Sequence, residues 1–315
     1  MERHIGLIAL TSALLFPSTY ETKAQPPSED FTLRSDVRLV LLDVSVKNHD
    51  GFSVSGLSRE NFTIYEDGHV QPIKVFADSD LPVTVGLLVD ASYSMTPKRN
   101  EVLNAAMVFI RESNPADELF VLNFNETVRA GLPKGINFSS DRTQLRDALY
   151  RGKPMGRTAL NDAVITGLKQ LSSGTRDRRT LVVISDGGDN ASEHKRAELL
   201  SAIEESMATV YTIGLYENGD PDRDPALLKK LANVSGGQAY FPSSRDEMND
   251  VCSRIAKDIR QRYTVGYTPA PPHSDKDKNE LRKIRINVQG PGNSKLTARA
   301  RTSYRYDHQI QSAKK

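Results

Sequence analysis

Residues Val83-Thr84-Val85-Gly86-Leu87-Leu88-Val89 form a continuous apolar run that stops at Asp90. A strand with one wet face would alternate apolar and polar residues. This one does not, so it is expected to be covered on both faces, as a central strand of a parallel sheet is. The chain around it supports that reading. Helical spacing over Lys98–Glu112 puts Val102, Ala105, Ala106 and Phe109 on one face. Strand Glu118–Phe124, a short strand near Val128–Leu132 and helix Asp141–Tyr150 follow. Helix Ala159–Leu171 carries Leu160, Val164, Leu168 and Leu171 at helical spacing. Strand Thr180–Ser185 again ends in an aspartate, Asp186. Helix Lys195–Met207, strand Val210–Leu215, helix Pro225–Asn233, strand Gln238–Phe241 and helix Asp246–Arg262 complete the series. Strands alternating with helices of this length predict an α/β domain, a doubly wound and mostly parallel sheet with helices on both faces.

The two ends of the chain obey a different grammar. Val37, Leu39, Leu41, Val44 and Val46 alternate along one strand, and Asp50-Gly51 signals a turn. Phe62–Tyr65 is a second strand, Glu66-Asp67-Gly68 turns it, and Gln71–Phe76 is expected to return. After the α/β region come strands Tyr263–Tyr267 and Lys283–Val288, and at least one more within Lys295–Tyr306. Pro269–Pro272 and the charged run Ser274–Lys278 read as an exposed loop. The simplest arrangement pairs the two ends into a small flanking antiparallel β module through which the chain enters and leaves. Expected boundaries are a signal peptide over 1–24, a linker over 25–35 and a β segment over 36–80. The α/β domain then spans 81–262, a second β segment 263–308, and a disordered tail 309–315.

Residues 1–24 are expected to carry an export signal, with a buried N-terminal helix as the blander reading. Ile5–Phe16 is a twelve-residue run without charge, preceded by Arg3 and followed by a cleavage pattern ending at Ala24. Twelve residues cannot span a hydrocarbon core of about 30 Å, so no transmembrane segment is expected in the mature chain. The protein is therefore expected in the periplasm or outside the cell.

Composition narrows the chemistry. Forty-two Lys and Arg against forty Asp and Glu exclude a strongly basic nucleic-acid binder. The single cysteine, Cys252, excludes an intramolecular disulfide and a cysteine-rich zinc site, and its amphipathic helical setting makes it a small core hydrophobe. Oxygen donors remain. Asp90 and Asp186 end two of the most apolar strands, where open α/β sheets bind ligands. Asp90-Ala-Ser92-Tyr-Ser94 spaces three oxygen side chains at i, i+2 and i+4. Gly156-Arg157-Thr158 offers another hydroxyl just before a helix. Two carboxylates and three hydroxyls on three loops suit a hard divalent cation, Mg²⁺ above all, with Mn²⁺ or Ca²⁺ as alternatives. Blander roles exist for each: Ser92 and Ser94 as helix caps, Thr158 as the N-cap of the next helix, Asp186 as a turn residue.

Asp90-x-Ser92-x-Ser94, Thr158 some 64 residues on, and Asp186-Gly187 some 28 beyond that resemble the metal-ion-dependent adhesion site of von Willebrand factor A domains. The resemblance covers about residues 81–262. Phe62-x-Ile64-Tyr65-Glu66-Asp67-Gly68 and Tyr263-Thr-Val-Gly-Tyr267 further resemble an exported subfamily first described in acidobacteria. The resemblance implies metal ligation by Asp90, Ser92, Ser94, Thr158 and Asp186. It implies an open metal position that accepts a carboxylate from a partner, either another protein or an envelope macromolecule. Tyr93, Arg157, Gly187, Asp189 and Asn190 are expected to rim that position. The expected function is adhesion or protein binding rather than catalysis, so no catalytic residue is assigned. A metal-dependent hydrolase, with Asp189 or His194 as base, and a purely structural envelope component stand as alternatives. In some members of the family the last helix shifts on ligand binding. Here that helix runs straight into strand Tyr263–Tyr267, which is expected to resist such a shift.

Overall fold

The computed structural model describes residues 38–78, 80–216, 223–270, 280–290, 294–306 and 311–312. From Val37 onward the chain forms one compact unit. The expected signal peptide, linker and Ser274–Lys278 loop lie outside the described residues.

The first β segment comprises β1 (Arg38–Lys47), β2 (Phe62–Glu66), β3 (His69–Gln71) and β4 (Ile73–Asp78). The α/β region follows. Its strands are β5 (Val83–Asp90), β6 (Glu118–Phe124), β7 (Val128–Ala130), β8 (Arg178–Ser185), β9 (Thr209–Gly214) and β10 (Ala239–Tyr240). Its helices are α1 (Arg99–Glu112), α2 (Arg142–Tyr150), α3 (Leu160–Leu171), α4 (Arg196–Glu205), α5 (Pro225–Ser235) and α6 (Arg245–Arg260). The chain closes with β11 (Arg262–Tyr267), β12 (Leu281–Val288), β13 (Thr297–Arg299), β14 (Ser303–Arg305) and β15 (Gln311–Ser312).

The central sheet has the order β10-β9-β8-β5-β6-β7, parallel throughout except for β7. All eight residues of β5 are buried, as its unbroken apolar run requires. Each fully buried Val or Leu there contributes roughly 1.5–3 kcal/mol. Gly86 is the gap that lets the sheet close. A Cβ at this position would sit 2.3 Å from Phe120 Cζ and 2.6 Å from a Leu181 methyl. Right-handed crossovers place α1 on one face and α3, α4 and α5 on the other, because the chain reverses direction across the sheet after β6. The packing agrees: α1 meets α6, and α3 meets α4. The reversal point lies between β5 and β8, where doubly wound folds open a crevice at the carboxyl ends of the strands.

The two chain ends meet as expected, in two antiparallel sheets. One runs β13-β1-β11-β4 and the other β14-β12-β2-β3. Their inner faces share a core of Val40, Leu42, Ile64, Val265, Ile284 and Tyr304. Glu66 ties the sheets together: Tyr267 Oη, Tyr304 Oη (2.7 Å) and Arg282 Nη1 (2.7 Å) donate to its carboxylate.

Two sequence expectations change here. Gln71–Phe76 is not one returning strand. Pro72, which has no N–H to donate, separates β3, paired with β2, from β4, which crosses to pair with β11. The C-terminal tail is also not wholly frayed, because Gln311–Ser312 pairs with Leu39 and Arg38 along β1.

One residue, Gln261, separates α6 from β11, and the junction is pinned. Arg262 donates to Asp43 O, Thr209 Oγ1, Tyr211 Oη and Gly236 O. Buried Asp258 accepts from Ser45 Oγ and Tyr211 Oη. Cys252 is buried on α6, and burial pushes its thiol up to about 12. It is an inert core residue.

Candidate functional site

Parallel pairing of β5 with β8 sets Val89 beside Ile184, so the two chains leave the sheet together, carrying Asp90 and Asp186. The loops beyond are stitched by backbone hydrogen bonds. Ala91 N donates to Phe124 O, Met155 N to Ala91 O, and Tyr93 N to Gly156 O. Asn190 N and Ala191 N both donate to Thr158 O, and Thr158 N donates to Asn190 Oδ1 at 2.9 Å. Three loops distant in sequence thus hold one another at the crevice.

Four of the five expected ligands form one hydrogen-bonded chain. Ser92 N donates to Asp90 Oδ1 at 2.8 Å. Ser92 Oγ lies 3.1 Å from Ser94 Oγ, and Ser94 Oγ donates to Asp186 Oδ2 at 2.6 Å. Asp90, Ser92 and Asp186 are buried, whereas Ser94 is exposed at the mouth. Thr158 is buried and joins the site through its backbone alone; its hydroxyl bonds to no other described residue.

The blander roles do not account for these side chains. Ser92 is the N-cap of a 3₁₀ turn, Tyr93–Lys98, that precedes α1, but its side chain makes no capping bond. Ala159, not Thr158, is the N-cap residue of α3. Asp186 does serve its turn, accepting from Gly188 N at 2.9 Å, yet its other oxygen takes Ser94.

Electrostatics explains what the crevice lacks. Burial, then the nearby charge of Asp186, pushes the Asp90 carboxyl up to about 7; the hydroxyls of Ser185 and Ser92 oppose this. Two carboxylates share a buried site, and among the described residues neither forms an ion pair with Lys or Arg. A divalent cation is the counter-charge that such a donor set fits. No cluster of three or more His, Cys, Asp or Glu exists among the described residues, so any cation held here needs the hydroxyls.

The expected rim residues divide. Tyr93 is 75% exposed and Arg157 is exposed, its N–H donating to Glu126 Oε1. Gly187, by contrast, is buried. It holds φ +89°, and a Cβ there would meet Asp224 O at 2.6 Å, so it shapes the loop and does not face a partner. Asp189 is half-buried and accepts from Ser192 N. Asn190 is exposed, but its carboxamide oxygen clamps Thr158.

Three contributors escaped sequence reasoning. Ser185 Oγ donates to Asp90 Oδ2 at 2.6 Å. Its signal was the hydroxyl immediately before Asp186. Arg99 is buried at the start of α1, donates to Leu149 O and Gly152 O, and feels the charge of Asp90. Glu126 braces the Gly156–Arg157 turn. Nothing local in the sequence marks the last two, because their partners come from other loops.

The model for the von Willebrand factor type A domain matches residues 84–241, half of the chain. The chain belongs to the von Willebrand factor type A domain family. Among solved structures, a von Willebrand factor type A protein from Catenulispora acidiphila superposes with a TM-score of 0.51 at 13% identity, covering 87% of this chain and 74% of that one. The von Willebrand domain of the type V pili tip protein Mfa5 from Porphyromonas gingivalis gives 0.45 at 10% identity, over 63% of this chain and 100% of that chain. The PilB minor pilin from Streptococcus sanguinis gives 0.45 at 13%, over 60% and 63%. No curated protein matches in sequence. The von Willebrand A fold thus accounts for the central sheet and its helices, and the Asp90 crevice occupies its switch point.

Proposed function

We propose that this von Willebrand A domain is a metal-dependent protein-binding module. The observation that carries the reading is the chain Asp90–Ser92–Ser94–Asp186 at the crevice, two buried carboxylates bridged by hydroxyls and in direct ion pair with no Lys or Arg among the described residues. Asp90, Ser92, Ser94, Thr158 and Asp186 would hold a divalent cation, Mg²⁺ first, with Mn²⁺ or Ca²⁺ as substitutes. The bound cation supplies an electrophilic position for an acidic group of a partner. The residues do the rest. Ser185 and Ser92 N fix the orientation of Asp90. Asn190 fixes the Thr158 backbone, and exposed Tyr93 and Arg157 meet whatever approaches. The partner is another protein or an envelope macromolecule bearing a carboxylate, held by a charge-assisted contact.

The hydrolase alternative asks for a base. His194 Nδ1 is engaged by Asp162 Oδ1 at 2.7 Å, and the side chain makes no hydrogen bond to Asp90, Ser92, Ser94 or Asp186. Asp189 is occupied with Ser192 N. Both placements support binding over hydrolysis.

Export and membership of the acidobacterial subfamily belong to the same proposal. Among the described residues no helix is long and apolar enough to cross a membrane. The export reading rests on the sequence of residues 1–24, and the subfamily reading on the motifs carried by β2 and β11.

The test is calorimetric titration with MgCl₂, MnCl₂ and CaCl₂ after EDTA treatment. Saturable one-to-one binding, abolished by Asp90→Ala, is expected. Absence of binding by all three ions, or binding that survives Asp90→Ala, would overturn the metal reading.

A further inference from the structure

The second half of α6 runs back toward the amino ends of the central strands and meets the β module there. Between them lies a cleft of about 530 Å³. Its walls carry Lys47, Arg254, Lys257 and Arg299. We propose that this cleft binds a small, multiply charged phosphoryl anion.

The placement of the cations follows from the elements that bear them. Arg254 and Lys257 are three apart on α6 and so project from one helix face. Thr297 pairs with Lys47 and Arg299 with Ser45, so Lys47 and Arg299 share the face of β1 and β13 that looks at α6. Like charges brought together in this way repel, and a solvated protein surface usually intersperses acids among them. Here acids are few: Asp50 lines the cleft, exposed to solvent beside His49 at 3.1 Å. Asp258 lies beneath and serves Lys47, Ser45, Tyr211 and Arg262. Arg254, Lys257 and Arg299 form no ion pair with any described residue.

A second observation points to a ligand. Tyr240 lines the same cleft and is only 9% exposed, yet its buried hydroxyl has no hydrogen-bond partner among the described residues. A buried orphan donor is costly unless something outside the chain satisfies it. Among charges, Asp258 acts most strongly on this hydroxyl, with Arg254, Arg299 and Arg262 acting against it; an anion seated between the Arg254 and Arg299 guanidinium groups would supply the acceptor that the hydroxyl lacks.

The chemistry selects the class. A single carboxylate would leave most of the positive charge uncompensated. Guanidinium forks match the tetrahedral oxygens of phosphoryl groups in bidentate fashion. The volume falls within the range of small-molecule sites. The cleft is separate from Asp90 and Asp186, and the inference does not depend on the metal reading.

The probe is inorganic pyrophosphate, titrated calorimetrically into the full chain in EDTA at physiological ionic strength. One saturable site is expected. Arg254→Gln and Arg299→Gln should each weaken binding at least about tenfold, since each removes a charge-assisted contact. Tyr240→Phe should weaken it a few-fold, and citrate should bind more weakly than pyrophosphate. Arg254 is exposed, so its variant keeps the fold, which a thermal melt verifies. Absence of saturable heat, affinity unchanged in both arginine variants, or citrate binding as tightly as pyrophosphate would each overturn the proposal. Binding of the same affinity to vesicles of anionic phospholipid, with none to free pyrophosphate, would also overturn it as a site for a soluble anion.

Discussion

Replacing Asp258 by asparagine tests whether the last helix is locked to the β module. The carboxylate is 3% exposed, on the inner face of α6. Ser45 Oγ and Tyr211 Oη donate to it, Arg262 Nη2 lies at 3.6 Å and Lys47 Nζ at 3.7 Å. Burial by itself would push the pKa of this carboxyl up. The charges of Arg262 and Lys47 and the two hydroxyls outweigh burial and hold it below its ordinary value. Asp258→Asn keeps the shape and removes the charge, leaving the buried Arg262 guanidinium without its nearest anion. Breaking a buried pair from one side costs about 3–5 kcal/mol. Arg262 retains four neutral acceptors, so the lower end, about 3 kcal/mol, is expected. For a compact unit of this size, Val37–Lys315, that corresponds to a Tm lower by roughly 5 °C. The assay is urea unfolding followed by far-ultraviolet circular dichroism, since the chain has no Trp. A depressed acid pKa stabilises the fold above the unfolded value of 3.8, and this stabilisation is lost as pH falls through the folded value. The gap between wild type and variant should therefore be full at neutral pH and close as pH drops below 3.8. A difference under about 1 kcal/mol at neutral pH, or a gap that does not narrow in acid, would refute the reasoning.

Three further outcomes follow from the same structure. Gly86→Ala should lower stability by about 1–3 kcal/mol in the same urea assay, because the added carbon overlaps the Phe120 ring and the strand has no room to retreat. Asp186→Ala should abolish metal-induced stabilisation, which for the wild type reaches about 2.7 kcal/mol when the free cation is 100 times its Kd; a differential scanning titration with MgCl₂ reads it. Hydrogen exchange along α6 should be unchanged by Mg²⁺, because moving the helix would pull Arg262 from its acceptors and break the β1–β11 ladder; metal-dependent deprotection would contradict the anchored junction.

Much of the fold was legible because it depends on local pattern. The unbroken run of β5 requires cover on both faces whatever lies around it, and the helices of the α/β region announce themselves by apolar spacing. The β module was legible in outline only. Nothing near Pro72 said that β4 would leave β3 and pair with β11, almost two hundred residues away. The site shows the same division. Asp90, Ser92 and Ser94 sit on one loop, and their spacing is a local property. Arg99, Glu126 and the clamp of Asn190 on Thr158 exist only because three loops converge. Gly187 was expected at the rim because it adjoins Asp186, and it is buried because Asp224 covers it.

By itself, then, the sequence determined the parallel core, the two aspartates at the carboxyl ends of two apolar strands and the oxygen character of any metal chemistry, since each follows from residue type and spacing along one segment. Only the tertiary structure decided that Asp90 and Asp186 share a buried crevice with no direct ion pair to Lys or Arg among the described residues. It alone joined α6 to the β module through Asp258 and Arg262, and gathered Lys47, Arg254, Lys257 and Arg299 around one cleft. Charge interactions act across space and fall off with distance, so their sign and strength are set by which segments pack together. The chain-wide balance of 42 basic and 40 acidic residues records none of that.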